Sequence, residues 1–251
     1  MEGAVPKHAP GQSPDNVIRI RDLTFRWKLG MPQVLDLPSL VIDRGERIFI
    51  EGASGSGKST LLSLLAGVIL PERGEIQVLG ERLDRLGSVQ RDHFRAHHIG
   101  FVFQMFNLIP YLSVVENVLL PCRFSDQRRL RALRDADSLE AEALRLLRQL
   151  DMTDATLLRR PVTSLSVGQQ QRVAAARALI GAPALLIADE PTSSLDSDRR
   201  ESFIRLLFDE CARAGSTLVF VSHDASLEPL FNRTLRLSEI NRSAAARRAE
   251  G

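Results

Sequence analysis

Cysteine is nearly absent: only Cys122 and Cys211 occur in 251 residues. They are isolated, so they form neither a metal-binding pattern nor a disulfide framework, which fits a reducing compartment. No apolar stretch approaches the roughly 18 residues that a membrane-spanning helix needs. The first residues, "MEGAVPKHAPGQSPDN", lack the apolar core of a signal peptide. A working position at a membrane therefore requires another chain. Charge of one sign is also missing. The formal net charge is +2, so no strong bulk attraction to nucleic acid is implied. No internal repeat is visible, and low complexity is confined to the ends.

What is present has the balance of a globular protein, with 44% hydrophobic and 25% charged residues. Pro6, Pro10 and Pro14 with Gly3 and Gly11 predict a flexible tail over residues 1–16, and "NRSAAARRAEG" predicts another over 241–251. Between them, "VIRIRDLT" (17–24) alternates in polarity as a half-buried strand does. "RIFIE" (47–51), "EIQVLG" (75–80) and "IGFVF" (99–103) predict further strands. "LLIAD" (185–189) and "TLVFV" (217–221) are continuous apolar runs of the kind buried in a parallel sheet. "STLLSLLAGVIL" predicts a buried helix stopped by Pro71. From Gln104 to Ser164 the character changes to leucine and arginine at helical spacing. Leu139, Ala143, Leu146, Leu147 and Leu150 mark one helix face, with Asp137 and Glu140 suited to a capping box at its start. The expectation is an α/β core over residues 17–240 with a helical insertion near 105–168.

The stretch "EGASGSGKST" interrupts this pattern between a strand and a helix. Residues 52–59 match G-x-x-x-x-G-K-[ST], through Gly52, Gly57, Lys58 and Ser59, with Thr60 following. Glycines let the backbone curl so that several N–H groups point inward, and the next helix adds its unpaired N–H groups and positive dipole end. Ser54, Gly55 and Ser56 complete the curl. Lys58 is placed to reach the β- and γ-phosphates of a nucleotide, and the Ser59 hydroxyl to bind Mg²⁺. "ALLIADEP" ends a strand on two carboxylates, where parallel-sheet sites open. Asp189 suits a metal and Glu190 an attacking water, the two needs of phosphoryl transfer. "SLSVGQQQR" (164–172) sets Gln169 three residues after Ser166, again a capping-box spacing, so a helix begins there and its N-terminus offers a second anion site.

With that stretch the chain resembles the ATP-binding subunit of an ABC (ATP-binding cassette) transporter over residues 17–240. The motifs stand in the family's order: phosphate loop at Gly52 to Thr60, glutamine loop at Gln104, signature at Leu165 to Gln169, carboxylate strand at Leu185 to Glu190, "SLD" at Ser194 to Asp196, and switch histidine at His223. One departure is Val167, where the family usually carries the first glycine of L-S-G-G-Q. The resemblance implies a P-loop NTPase (RecA-like) core with a parallel sheet, an N-terminal antiparallel β part and a helical insertion. It implies a head-to-tail dimer with ATP between one chain's phosphate loop and the other's Ser166, Gly168 and Gln169. Trp27 lies near the position of the aromatic that stacks on adenine; the alternative is an ordinary core aromatic. Gln104 is expected to sense Mg²⁺ and the attacking water, and His223 to contact the γ-phosphate and hold Glu190. Asp196 is expected to couple the two sites.

"FNLIPYLSVVENVLLP", after Gln104, most resembles the group of lipoprotein-release (LolD), macrolide-efflux (MacB) and cell-division (FtsE) ATPases. Fewer than about thirty residues follow His223, whereas many importer subunits of the family carry a regulatory domain there. The implied partners are a second copy and an integral membrane permease, at the cytoplasmic face of the membrane, with no nucleic acid expected. The alternative is a soluble ABC ATPase acting on ribosomes or DNA, a class that typically carries two cassettes or a long coiled-coil insertion. A small-molecule kinase would need an acceptor site and no signature helix. Two stretches read as bland: His93 and His97, four apart, have only His98 beside them and no further ligand at metal spacing. The basic run "CRFSDQRRLRALR" (122–134) reads as a solvated helical face.

Overall fold

The computed structural model describes residues 16–193, 195 and 197–243. Most of the expected N-terminal tail, the end of the chain from 244, and Ser194 and Asp196 of "SLD" lie outside the described residues. Asn241, expected in the C-terminal tail, is fully buried. Its amide accepts from Asp36 N (2.9 Å) and donates to the Val34 carbonyl (2.9 Å), so the packed chain reaches past residue 240.

The chain runs through β1 (Asn16–Phe25), β2 (Leu35–Asp43), β3 (Arg47–Glu51), α1 (Lys58–Leu65), β4 (Arg73–Val78), β5 (Glu81–Arg82), α2 (Ser88–His98) and β6 (Ile99–Val102). The insertion follows as α3 (Val114–Phe124), α4 (Asp126–Ala132), α5 (Leu139–Gln149) and α6 (Ala155–Leu158). Then come α7 (Val167–Leu179), β7 (Leu185–Asp189), α8 (Ser197–Ala214), β8 (Thr217–Ser222), β9 (Arg233–Arg236) and α9 (Leu237–Ile240). One sheet is antiparallel, in the order β2-β1-β4-β5, and the other is parallel, in the order β6-β7-β8-β3-β9.

The parallel sheet is the middle layer because both of its faces are apolar. Side chains alternate along a strand, so Ile48 and Ile50 enter one core while Phe49 enters the other. Ile187, Val219 and Val221 join the first core, shared with β1, β2 and α1. Leu186, Ala188, Leu218 and Phe220 join the second, shared with α7, α8 and the insertion. These are the parallel core sheet, antiparallel N-terminal sheet and helical insertion that the resemblance implies.

Three local expectations are corrected. Helix α1 stops at Leu65, not at Pro71. Gly67 turns left-handed (φ +67°). Its N–H bonds to the Leu64 carbonyl, and Val68 N–H bonds to the Ser63 carbonyl. That pairing closes the helix with a residue only glycine adopts freely. Helix α5 is capped by Ser138, whose Oγ accepts from Ala141 N at 3.1 Å, in place of the Asp137–Glu140 box. The serine one residue further on reaches the orphan N–H group first. The basic run 122–134 is a solvated face only in part: Arg123, Arg129 and Arg134 are exposed, but Arg128 and Arg131 turn inward. Arg128 is 3% exposed and donates to the Ala178 carbonyl (2.7 Å), while Arg131 donates to the carbonyls of Gly181 (2.7 Å) and His97. Both cations cap the C-terminal end of α7, where unpaired carbonyls and the negative dipole end favour them.

Helix α7 lies directly on β6. A Cβ at Gly100 would stand 2.3 Å from the Ala178 carbonyl oxygen and 2.9 Å from Leu186 Cδ1. Gly100→Ala should therefore push α7 off the sheet. The expected cost is about 2 kcal/mol or more, read in a calorimetric scan as a Tm lower by roughly 4–8 °C. An unchanged Tm would contradict this packing.

Candidate functional site

Sheet order decides which residues meet. The C-terminal ends of β6, β7, β8 and β3 carry, in that spatial order, Gln104, Asp189 with Glu190, His223, and the glycine loop. These residues surround one cleft of about 620 Å³. Loop residues Ser54, Gly55, Gly57, Lys58, Ser59 and Thr60 form its floor, and Trp27 and Val34 form a wall.

The floor is built by exclusion of side chains. A Cβ at Gly52 would stand 2.6 Å from Ser56 Oγ and 3.4 Å from Leu237 Cβ and Lys58 Cδ, so a side chain there would displace the Ser56 hydroxyl inside the loop. Gly57, at φ +101°, leads into α1, and a Cβ there would press on Leu35 Cδ2 at 3.0 Å. No side chain caps α1 and no acidic residue occupies its first turn. The first N–H groups of the helix, with its positive dipole end, are left for a ligand. Ser56 Oγ is buried without a hydrogen-bond partner.

Above the floor sits one buried cation between carboxylates. Lys58 is 7% exposed, and its ammonium donates to the carbonyls of Gly52 (2.6 Å) and Ala53 (3.0 Å). The same nitrogen lies 3.6 Å from Glu190 Oε1. Asp189 stands by the Ser59 hydroxyl at the cleft. Burial pushes the Asp189 carboxyl above the usual carboxylate range; the neighbouring Ser59 hydroxyl and the Lys58 charge oppose this, and the Glu190 charge adds to it. Glu190 leaves β7 in a left-handed conformation (φ +45°), with its N–H held by the Val221 carbonyl at 2.9 Å. A non-glycine residue held there is strained by about 1–3 kcal/mol. The turn brings Glu190 Oε2 to 3.1 Å from His223 Nδ1.

Trp27 is 57% exposed and meets Phe25 edge-on, with ring centroids 5.1 Å apart. Phe25 is the buried member of the pair, so Trp27 is not a core aromatic. Ser166, Gly168 and Gln169 do not line this cleft. They begin α7, where Ser166 Oγ accepts from Gln169 N (3.3 Å) and Gln169 Oε1 accepts from Ser166 N (2.9 Å). Val167 is half-exposed as the first residue of the helix, and the capping box closes with it in place. The residues therefore fit a polyphosphate held by backbone N–H groups and one ammonium, with a hard cation beside Ser59 and Asp189.

Sequence reasoning missed Val34, which carries no motif, and Arg200. Arg200 pairs with Asp224 and donates to the Leu195 carbonyl (2.9 Å), tying the segment around Leu195 to the residue after His223. Arg177, which binds the turn after Gln104, was also missed. It has no signal in a helix of alanines and arginines. His93 and His97 face each other with ring centroids 5.9 Å apart, but His97 Nδ1 lies 2.6 Å from Ser125 Oγ. Among the described residues no group of three or more His, Cys, Asp or Glu is arranged to hold a metal.

Comparison with known proteins agrees with this geometry. The family model described as "ABC transporter" matches residues 35–193. The chain is 43% identical over 225 residues to the uncharacterized ABC transporter ATP-binding protein YbbA of Escherichia coli (strain K12), covering 89% of this chain and 95% of that one. It is 36% identical over 223 residues to the lipoprotein-releasing system ATP-binding protein LolD of Porphyromonas gingivalis, covering 89% and 97%. Among solved structures, the dimeric post-hydrolysis state of the ATP-binding cassette MJ0796 with ADP and Pi superposes with a TM-score of 0.76 at 32% identity, covering 90% and 95%. With a phosphate-loop cleft of this construction and relatives of this extent, the chain belongs to the ABC transporter family, as an ATP-binding, ATP-hydrolysing cassette subunit.

Proposed function

We propose that two copies of this chain close head to tail around two MgATP and so drive a membrane permease of the lipoprotein-release or macrolide-efflux type. One observation carries the reading. The chain has two anion-binding ends, the loop cleft and the N-terminus of α7, and the signature residues do not line the cleft of their own chain. A second copy related by a two-fold axis supplies the missing half of each site, twice. The dimeric form of the MJ0796 cassette supports this. The similarity to LolD supports the type of permease, and with it a peripheral position at the cytoplasmic membrane face. Among the described residues no helix is long and apolar enough to cross a membrane.

Each side chain then has a task. Trp27 offers its exposed face to adenine. The loop N–H groups and Lys58 hold the phosphates. Ser59, Asp189 and Gln104 would hold Mg²⁺, which neutralises charge on the β- and γ-phosphate oxygens. Glu190 takes the proton of the water that attacks the γ-phosphorus as the bond to ADP breaks. His223, in contact with Glu190 Oε2, orients that carboxylate. Ser166 and Gly168 touch the γ-phosphate across the interface, with Gln169 closing the cap beneath them. Asp196, outside the described residues, crosses the interface. ATP acts here by stabilising the closed state over the open one, since the phosphoryl group enters no product.

Lys58→Ala should weaken MgATP binding at least about tenfold, or about 1.4 kcal/mol, in titration calorimetry; unchanged affinity would contradict the phosphate-loop reading. Glu190→Gln should keep affinity, lose about 100-fold or more in turnover, and elute as a dimer in MgATP. Wild-type turnover in that variant removes Glu190 as the base. Tagged Glu190→Gln protein, extracted with MgATP in mild detergent, should retain a permease with few spanning helices and a large extracytoplasmic domain. Ribosomal or DNA-bound proteins in its place would make the chain a soluble ABC ATPase.

A further inference from the structure

We propose that Arg177 is a positioning residue for hydrolysis: from the last turn of α7 it holds the turn after Gln104 and so sets where Gln104 stands in the cleft. The inference rests on the role given to Gln104 above.

Arg177 is 8% exposed, and burial alone pushes its pKa below the ordinary guanidinium range. A buried cation without a carboxylate is unfavourable unless strong hydrogen bonds replace its water. Both of its bonds go to one place. Nη1 donates to the Asn107 carbonyl (2.7 Å) and Nη2 to the Phe106 carbonyl (2.5 Å).

Those two residues are themselves unusual. Phe106 (φ +59°) and Asn107 (φ +48°) are consecutive left-handed residues, and neither is glycine. A bulky aromatic in that region is an outlier that its surroundings must over-determine. The turn is closed from within by Phe106 N to the Phe103 carbonyl (2.9 Å) and Asn107 N to the Met105 carbonyl (2.6 Å). Gln104 lies inside it. The Phe106 side chain is buried, whereas Phe103 and Met105 are exposed, so the fastening comes through the Phe106 ring and the two carbonyls that Arg177 grips.

A second fastening lies further along. Asn117 of α3, fully buried, donates to the carbonyls of Ile109, Leu112 and Ser113 and accepts from Ile109 N. The segment 103–113 is thus tied to α3 by Asn117 and to α7 by Arg177. Arg177 rides on the helix that Ser166 caps, about three turns further on. Its clamp therefore fixes Gln104 in one cleft relative to the anion site that the same helix presents to the second copy. The planar fork of arginine bonds both adjacent carbonyls at once, whereas a lysine keeps the charge and a bond to one of them.

The test uses the full chain with Arg177→Met and Arg177→Lys, each with and without Gln104→Ala, in steady-state MgATP hydrolysis and amide hydrogen exchange of residues 103–112. Arg177→Met should leave KM within about twofold, lower kcat about tenfold and raise exchange at Phe106 and Asn107 about tenfold. Arg177→Lys should recover kcat to within about threefold. In the Gln104→Ala background, Arg177→Met should change kcat less than about twofold, because the two act through one step. Equal losses in both backgrounds overturn the inference while leaving Gln104 its role. Unchanged exchange also overturns it. Wild-type turnover by Gln104→Ala alone instead overturns the reading of Gln104 and the inference with it. Should Arg177→Met not fold, the loss in Arg177→Lys must vanish with Gln104→Ala in the same way.

Discussion

The buried ammonium of Lys58 organises the site. It is almost out of water, yet its direct partners are the carbonyls of Gly52 and Ala53, with Glu190 Oε1 at 3.6 Å. A charge in that position demands hydrogen bonds from everything near it. The loop meets the demand by turning the Gly52 and Ala53 carbonyls inward. Strand β7 meets it from the other side by ending on Glu190. Asp189, next to it, stands by the Ser59 hydroxyl and is pushed up by burial. The cleft is thus a charge arrangement before any ligand enters: one cation, two carboxylates and a set of free helix N–H groups.

Helix α7 is the second organising piece, and three sets of contacts define it. The Ser166–Gln169 box closes its N-terminus. Arg177 binds the turn beyond Gln104 from its last turn. Arg128 and Arg131 of the insertion bind carbonyls at its C-terminal end. The helix also lies on β6 so closely that Gly100 is required beneath Ala178. One rigid element therefore touches the signature, the glutamine loop, the insertion and the parallel sheet.

Much of this was legible in residue order. The phosphate loop, Asp189, Glu190 and the Ser166 box are local chemistry: glycines for curling, carboxylates at a strand end, a cap three residues before its partner. The apolar runs 185–189 and 217–221 announce strands buried on both faces, and the structure has them as β7 and β8. Less legible were features set by a distant partner. The end of α1 depends on Gly67, which looked like one more small residue in an apolar run. Within the basic run 122–134, Arg128 and Arg131 looked solvated like their exposed neighbours because their acceptors, backbone carbonyls at the end of α7, leave no mark in sequence.

What the sequence determined by itself is the set of chemical groups and the family to which their order belongs, because those groups act through short-range backbone geometry. Only the tertiary structure decided which of them meet. The order β6-β7-β8-β3 places Gln104, Glu190, His223 and the glycine loop side by side, although in the chain they fall in the order loop, Gln104, Glu190, His223. It also decided that Trp27 lines the cleft while Phe25 fills the core, and that Ser166 does not line its own chain's cleft. Those choices rest on sheet order, burial and long-range hydrogen bonds between segments far apart in sequence, and no local window of residues carries them.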